Sequence, residues 1–367
     1  MNPREQLIDF LPEMYRALVP ELFEQPIAEE RNATCERCAM CPPPDNPVFS
    51  AEEYFSPNTK CCTYHPALPN YAVGGLLRDE SAEGAEGRRR IRDKLSRRIG
   101  VSPLGVLPPA KQRLLYRHGK RGFGRAESMI CPYLEQEKGF CTVWKYREAV
   151  CTTWFCKHNN GQDGLKFWQQ LRDYLLGTQV VLSAYALRAL EWDADRILSA
   201  QPRQQLELNA RDLDDAPPDD DTYDDLWGEW VGREEEMYIK CYEVVAGLDR
   251  QHFATLGGLR HTLELERLEN RYRAMREPEL PDPLVKSPML RFKRAADGNY
   301  ILTSYASIDA MRLRKGVYEL LDFFDGDRSN EEVRAAILQH AGSWISDSLL
   351  TKLYQHRILV DAESCDA

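Results

Sequence analysis

Nine of the eleven cysteines of this chain fall between positions 35 and 156, and they fall in clusters. Cys35, Cys38 and Cys41 form a CxxCxxC run, Cys61 and Cys62 are adjacent, and Cys131, Cys141, Cys151 and Cys156 complete the group. Two cysteines separated by two residues can turn both thiolates onto one metal through a tight backbone loop, which is why this spacing recurs in zinc and iron–sulfur sites. A chain of 367 residues buries a substantial core and does not need disulfide staples. Its N-terminal stretch, MNPREQLIDFLPEMYRALVPELFEQP, carries prolines and acids where a secretory signal needs an apolar run. No stretch approaches the roughly 18 apolar residues of a membrane span. The expected compartment is the cytoplasm, where clustered thiols stay reduced and read as ligands. All nine are therefore candidate metal ligands, whereas Cys241, in EMYIKCYEVV, reads as a core thiol and Cys365 as a tail residue.

Nine thiolates exceed the four of one structural zinc or one cubane cluster, so two sites, or one site with spare structural thiols, fit the count. Cys35, Cys38 and Cys41, followed by proline, resemble the first three ligands of a ferredoxin-type cluster, which favours iron–sulfur (4Fe–4S) over zinc. A zinc site would use Cys35 and Cys38 with a second pair such as Cys151 and Cys156. Adjacent residues of an extended strand face opposite ways, so Cys61 and Cys62 are expected to serve different centres unless the backbone kinks between them. His65 and His158 follow cysteines closely and either could ligate through imidazole, although a surface or hydrogen-bonded histidine is the commoner outcome. His118, in YRHGKRG, reads as a solvated loop residue, and no Ser–His–Asp arrangement or paired-carboxylate motif stands out.

The net charge of −10 conceals an asymmetry. Arg88–Arg125 holds thirteen Lys or Arg and one acid, Asp93, a local charge of +12, so the remainder carries −22. This stretch (88–125) is either a solvated helix face, with Ile91, Leu95 and Ile99 at helical spacing, or a surface for an anionic partner. Aromatic residues are sparse there, and the total charge is acidic, which argues against nucleic acid.

Three domains are expected: a cysteine-cluster metal-binding domain over 1–160, a helical bundle over 161–280, and a small winged-helix domain over 281–367. The fold class is thus mainly α, with an irregular metal-stapled N-terminal region and an α+β C-terminal module. Residues 1 to about 30 read as a helical lead-in. Trp168, Leu171, Leu175, Leu182, Tyr185, Leu190 and Ile197 form the stripe of one long amphipathic helix. An aspartate-rich loop over 212–225 interrupts the pattern, and helical periodicity resumes across Leu226–Phe253 and Leu259–Met275. After prolines at 278, 281, 283 and 288, two strands flank an Asp297–Gly298 turn. Helical patterns follow at Ile308–Phe324, Glu331–His340 and Ser346–His356, with Ser329 or Asn330 as a cap.

In its second half the cysteine region resembles the YkgJ-like family of zinc- or iron-chelating cysteine-cluster proteins. The residues that carry this are CPYL from Cys131, CTVW from Cys141, YREAVC from Tyr146 to Cys151, and WFC ending at Cys156. In the first half Cys35–Cys38 stands for the family's CxxC, but the vicinal pair comes about twenty residues later, Cys41 is extra, and Glu148 stands where proline is usual. One branch of the family comprises flagellin lysine methylases with an iron–sulfur cluster. Here Gly122-Phe123-Gly124 is a lone GxG, and the CxxxCxxC run of radical S-adenosylmethionine enzymes is absent from the sequence.

The C-terminal segment resembles the PqqD-like fold, a winged-helix module that binds leader peptides. The likeness rests on Gly316–Gly326 (GVYELLDFFDG), Arg328–Val333 (RSNEEV) and Leu349–Leu359. It implies a peptide or protein partner that adds as a strand to the hairpin at Arg291–Tyr305. The expected function is a metal-binding redox or peptide-maturation component. The alternatives are a non-catalytic zinc-stabilised adaptor, or a nucleic-acid-binding regulator.

Overall fold

The computed structural model describes residues 5–27, 38–41, 54–200 and 213–363. The protein is mainly helical, with small antiparallel sheets. It divides into two compact units. One takes the N-terminal segment with the described residues of Ala33–Trp154 and Arg172–Leu265, and the other takes Phe155–Leu171 and Glu266–Ala367. No helix among the described residues is long and apolar enough to cross a membrane.

In the first unit the N-terminal segment is less helical than its sequence suggests. Prolines at 12, 20 and 26 deny it a continuous hydrogen-bond ladder, leaving 3-10 turns at Leu7–Phe10, Glu13–Tyr15 and Glu21–Glu24. Its ends are tied by Glu5–Gln6 pairing antiparallel with Pro26–Ile27. The centre of the unit is helix Asn70–Arg78, which buries all of its residues but Arg78. It crosses helix Glu234–Ala246 so closely that a Cβ on Gly74 would stand 1.8 Å from the Tyr238 carbonyl oxygen. Only glycine permits that approach. Tyr238 in turn donates its hydroxyl to the Ser102 carbonyl at 2.6 Å, anchoring the helix to the sheet of Leu68–Pro69, Gly105–Val106 and Val101–Ser102. Asn70 is fully buried, and its amide donates to the carbonyls of Pro103 (3.1 Å) and Ser183 (3.2 Å).

Helix Gly161–Ala189 buries Trp168, Leu171, Leu175 and Leu182 as the stripe requires, but it stops before Ile197. Glu191 adopts a left-handed φ of +63°, and Asp193 caps a separate helix, Ala194–Ser199, by accepting from the Arg196 amide at 2.8 Å. The run Leu226–Phe253 is likewise divided. Gly228 and Gly232 take positive φ after helix Asp220–Trp227, and Glu234–Ala246 ends at Gly247 before helix Arg250–Arg276 begins. Gly258 kinks this last helix, next to the expected start at Leu259. Asp212 lies outside the described residues, but part of the aspartate-rich segment is helix rather than loop, because Asp219 caps the Thr222 amide at 2.9 Å.

In the second unit Arg291–Arg294 and Tyr300–Thr303 form the hairpin around Asp297–Gly298, and Met311–Leu313 adds to the far side of Tyr300–Thr303. Leu284–Lys286 pairs with Leu359–Asp361. The apolar stretch at Ile308–Phe324 is thus shared between a strand, helix Lys315–Glu319 and a 3-10 turn, Leu320–Phe323. Helix Asn330–Ala341 opens on a reciprocal capping box between Ser329 and Glu332 and closes on Gly342 in the left-handed region. Ser346 caps helix Asp347–Gln355. Asp325, ahead of a left-handed Gly326, accepts from both the backbone and the guanidinium of Arg328, so the Asp-Gly-x-Arg sequence is a self-contained turn. Leu284, Leu321, Val333, Ile337 and Leu353 are buried at the centre of this unit.

Candidate metal centre

Cys38 and Cys41 lie on one turn, closed by the Cys41 amide donating to the Cys38 carbonyl at 3.0 Å, and their thiols are hydrogen-bonded. This turn is held by the Phe55 amide, which donates to the Met40 carbonyl. Cys61 and Cys62 are not in an extended strand. The Lys60 amide donates to Ser56, the Cys62 amide donates to Thr59, and Lys60 has a left-handed φ of +47°. That kink turns the two thiols onto each other, and they share a hydrogen bond. Buried Thr59 and Thr63 fix the turn by bonding the backbone of Gly124, which is the role the Gly-Phe-Gly sequence plays here.

The remaining thiols come from a second layer of loops. The Cys131 amide donates to the Cys62 carbonyl at 2.8 Å, joining the two segments directly. A hairpin pairs Leu134 with Cys141, which returns Cys141 to the neighbourhood of Cys131. Cys151 sits in the short helix Ala149–Thr153. That helix exists because Glu148 caps it, accepting from the Val150 amide at 3.1 Å and from the amide of Cys151 itself.

Electrostatics link these seven thiols into one group. Burial pushes Cys41 up to about 12, helped by repulsion from Cys38 and, more weakly, Cys61. The bond to Cys62 and then burial raise Cys61 well above the ordinary thiol range. Burial raises Cys131 to about 12, with Cys141 opposing its ionisation further and Lys94 opposing the rise. Cys151 is raised by burial, then by Glu148, Cys131, Cys141 and Cys61. Glu148, 2% exposed, is itself pushed up to about 7 by burial, although the Val150 and Cys151 amides and the Tyr64 hydroxyl favour its charged form. An edge-to-face chain of Tyr64, Tyr116, Phe123 and Trp154, with Phe55 also against Phe123, packs beside these segments.

All nine described cysteines are free thiols. The donor set suits a thiophilic cation: buried and half-buried thiols that oppose each other's ionisation are an arrangement a metal stabilises, because its positive charge attracts each thiolate and offsets both the burial cost and their mutual repulsion. Among the described residues no three ligating side chains already converge on one point. Cys35 lies outside the described residues, and Cys156 belongs to the second unit.

The two histidines differ. His158 is buried in the second unit, where its backbone amide donates to Asp309 at 2.9 Å and its Nδ1 lies 3.4 Å from the same carboxylate. His65, in the first unit, is buried with neither ring nitrogen hydrogen-bonded and with its ring edge-to-face against Tyr133. Burial lowers its pKa from 6.5 to about 3. His118 ends helix Ala110–His118, and Cys241 is a core thiol, fully buried with its Sγ 3.3 Å from the Met237 sulfur.

Five of the thirteen basic residues of 88–125, all on or next to the helix Ala85–Arg97, form ion pairs within the first unit. Helix Ala85–Arg97 carries its arginines outward around buried Ile91. Arg89 and Arg90 pair with Glu86, Arg90 with Glu135, Arg92 with Glu235, and Arg98 with Asp220 of the aspartate-rich segment. The sequence does not single out Tyr64, and it marks Glu148 only as standing where the resembled family has proline. The signal for Glu148 is its place immediately before the short helix Ala149–Thr153, where a carboxylate can accept from the free amides of the first turn. No family model matches the chain, and no curated protein or solved structure matches it either.

Proposed function

We propose that this chain is a metal-binding cysteine-cluster protein of the YkgJ-like kind, holding an iron–sulfur cluster. Cys38, Cys41, Cys61, Cys62, Cys131, Cys141 and Cys151 form its donor pool, and Cys35 and Cys156 are further candidates. The observation that carries the reading is that seven free thiols from separate segments are gathered into one electrostatically linked group in which burial and mutual repulsion oppose ionisation. Seven exceed the four that either one structural zinc or one cubane cluster takes, and the preference for iron–sulfur rests on the CxxCxxC run followed by proline. Such a cluster supplies one-electron chemistry. The chain's own residues would hold the thiols in place through the Lys60 kink, the Cys131–Cys62 backbone bond and the Glu148 cap.

The C-terminal unit is proposed to be the winged-helix, PqqD-like module of a redox or peptide-maturation component. Supporting this, Arg291–Arg294 is an edge strand whose residues are all exposed, and an extended peptide could add there through main-chain hydrogen bonds. Binding of a partner peptide would protect the amides of this strand from hydrogen exchange. The experiment for the metal is substitution: Cys61→Ser and Cys151→Ser, each in the full chain, should lower bound metal by at least half, with Cys241→Ser as the control that leaves it unchanged. Equal metal in all three refutes the assignment.

A further inference from the structure

A cavity of about 350 Å³ in the first unit lies beside the basic helix, and His65, Asp93, Lys94, Arg97 and Asp215 are among the residues that line it. His65 lines it, 7% exposed, with both ring nitrogens unbonded. Lys94, on the same wall, forms no salt bridge with any described carboxylate and stands over the Tyr133 ring at 5.9 Å. Arg97 lines it with only a 3.6 Å contact to Asp93. Asp215 also lines it, in a left-handed conformation (φ +51°), with a buried carboxylate oxygen that accepts nothing. Ile99, Pro109, Ile130 and Pro132 supply apolar wall.

A buried polar atom without a partner is costly, and here both nitrogens of an imidazole and a carboxylate oxygen are left in that state around an opening that a lysine and an arginine also line. Their chemistry is complementary to a single kind of molecule. The ammonium, the guanidinium and an imidazole N–H are donors to an oxyanion, while the Asp215 oxygen requires a donor such as a hydroxyl. We propose that this cavity binds a small phosphate monoester bearing hydroxyl groups, of the sugar-phosphate class. Lys94, Arg97 and His65 hold the phosphate, and Asp215 accepts from a hydroxyl. None of these four residues is in the thiol group, although Lys94 lies near enough to Cys131 to affect its ionisation, so the test below reads ligand binding and not metal content.

The test is calorimetric titration of the full-length protein with ribose 5-phosphate, inorganic phosphate and ribose, repeated on Lys94→Met and Asp215→Asn. The expected result is saturable binding of ribose 5-phosphate, weaker binding of phosphate, and none of ribose. Lys94→Met should weaken both phosphate-bearing probes at least tenfold, and Asp215→Asn should weaken ribose 5-phosphate while sparing inorganic phosphate. His65 ring proton resonances should shift on binding, a readout that survives if either variant folds poorly. Equal affinity for phosphate and its ester would overturn the hydroxyl contact and leave a site for free phosphate. Absence of saturable binding at millimolar ester, or binding unaltered by Lys94→Met, would overturn the proposal.

Discussion

Replacing His65 by Phe makes a stability difference that should depend on pH in a calculable way. The imidazole is buried, neither nitrogen has a partner, and its pKa falls from 6.5 to about 3 on folding. A depressed histidine pKa means that the unfolded chain binds the proton and the folded one does not, so stability falls as pH drops through 6.5 and keeps falling until about 3. With 1.36 kcal/mol per pKa unit, the wild-type protein loses about 2 kcal/mol from this group between pH 7.5 and pH 5. Phe has no proton to bind and retains the edge-to-face contact with Tyr133. The unfolding free energy of His65→Phe minus that of wild type should therefore grow by about 2 kcal/mol over that interval. It should already be positive at pH 7.5, because the variant removes two unsatisfied buried atoms. Urea unfolding at both pH values, followed by tryptophan fluorescence, measures it. A difference that stays constant to within about 0.5 kcal/mol would refute the reasoning, since a proton bound equally in both states gives no slope.

Gly74→Ala should be among the most damaging single substitutions in the first unit, because the added Cβ meets the Tyr238 backbone at 1.8 Å and 2.4 Å rather than a movable side chain. A loss of about 3 kcal/mol or more is expected, read as a lower denaturation midpoint; a loss below about 1 kcal/mol would mean that the two helices are not in this contact. Ser329→Ala removes half of the capping box on helix Asn330–Ala341 and should cost about 1 kcal/mol. Cys241→Ala should leave bound metal unchanged, because that thiol sits in the helical core against Met237; metal loss in this variant would place it among the ligands.

What could be read from the sequence was what is decided locally. The Asp297–Gly298 hairpin, the Ser329 cap and the buried stripe from Trp168 to Leu182 all follow from turn chemistry, side-chain capping and helical period. Helix ends set by a single left-handed residue were not legible. Glu191 stops a helix whose apolar period continues to Ile197, and nothing in its chemistry marks it for positive φ. Long-range closure was also beyond sequence reasoning. The kink at Lys60 that brings Cys61 onto Cys62 is stabilised by Thr59 and Thr63 against Gly124, more than sixty positions away. The partnerless ring of His65 depends in the same way on what surrounds it in space, and spacing from Cys62 suggested only a ligand or an ordinary histidine. Charge counting also could not show which arginines are paired: Glu86, Glu135, Glu235 and Asp220 answer Arg89, Arg90, Arg92 and Arg98.

The most direct test of the central claim is metal and acid-labile sulfide analysis of anaerobically purified protein, with its visible absorption spectrum. The thiol group as described predicts stoichiometric iron and sulfide with a broad thiolate-to-iron band near ~400 nm, lost together when Cys61 and Cys151 are replaced by Ser. Colourless protein with zinc alone would contradict the iron–sulfur reading and leave a structural thiolate site. Protein with neither metal would contradict the metal centre itself.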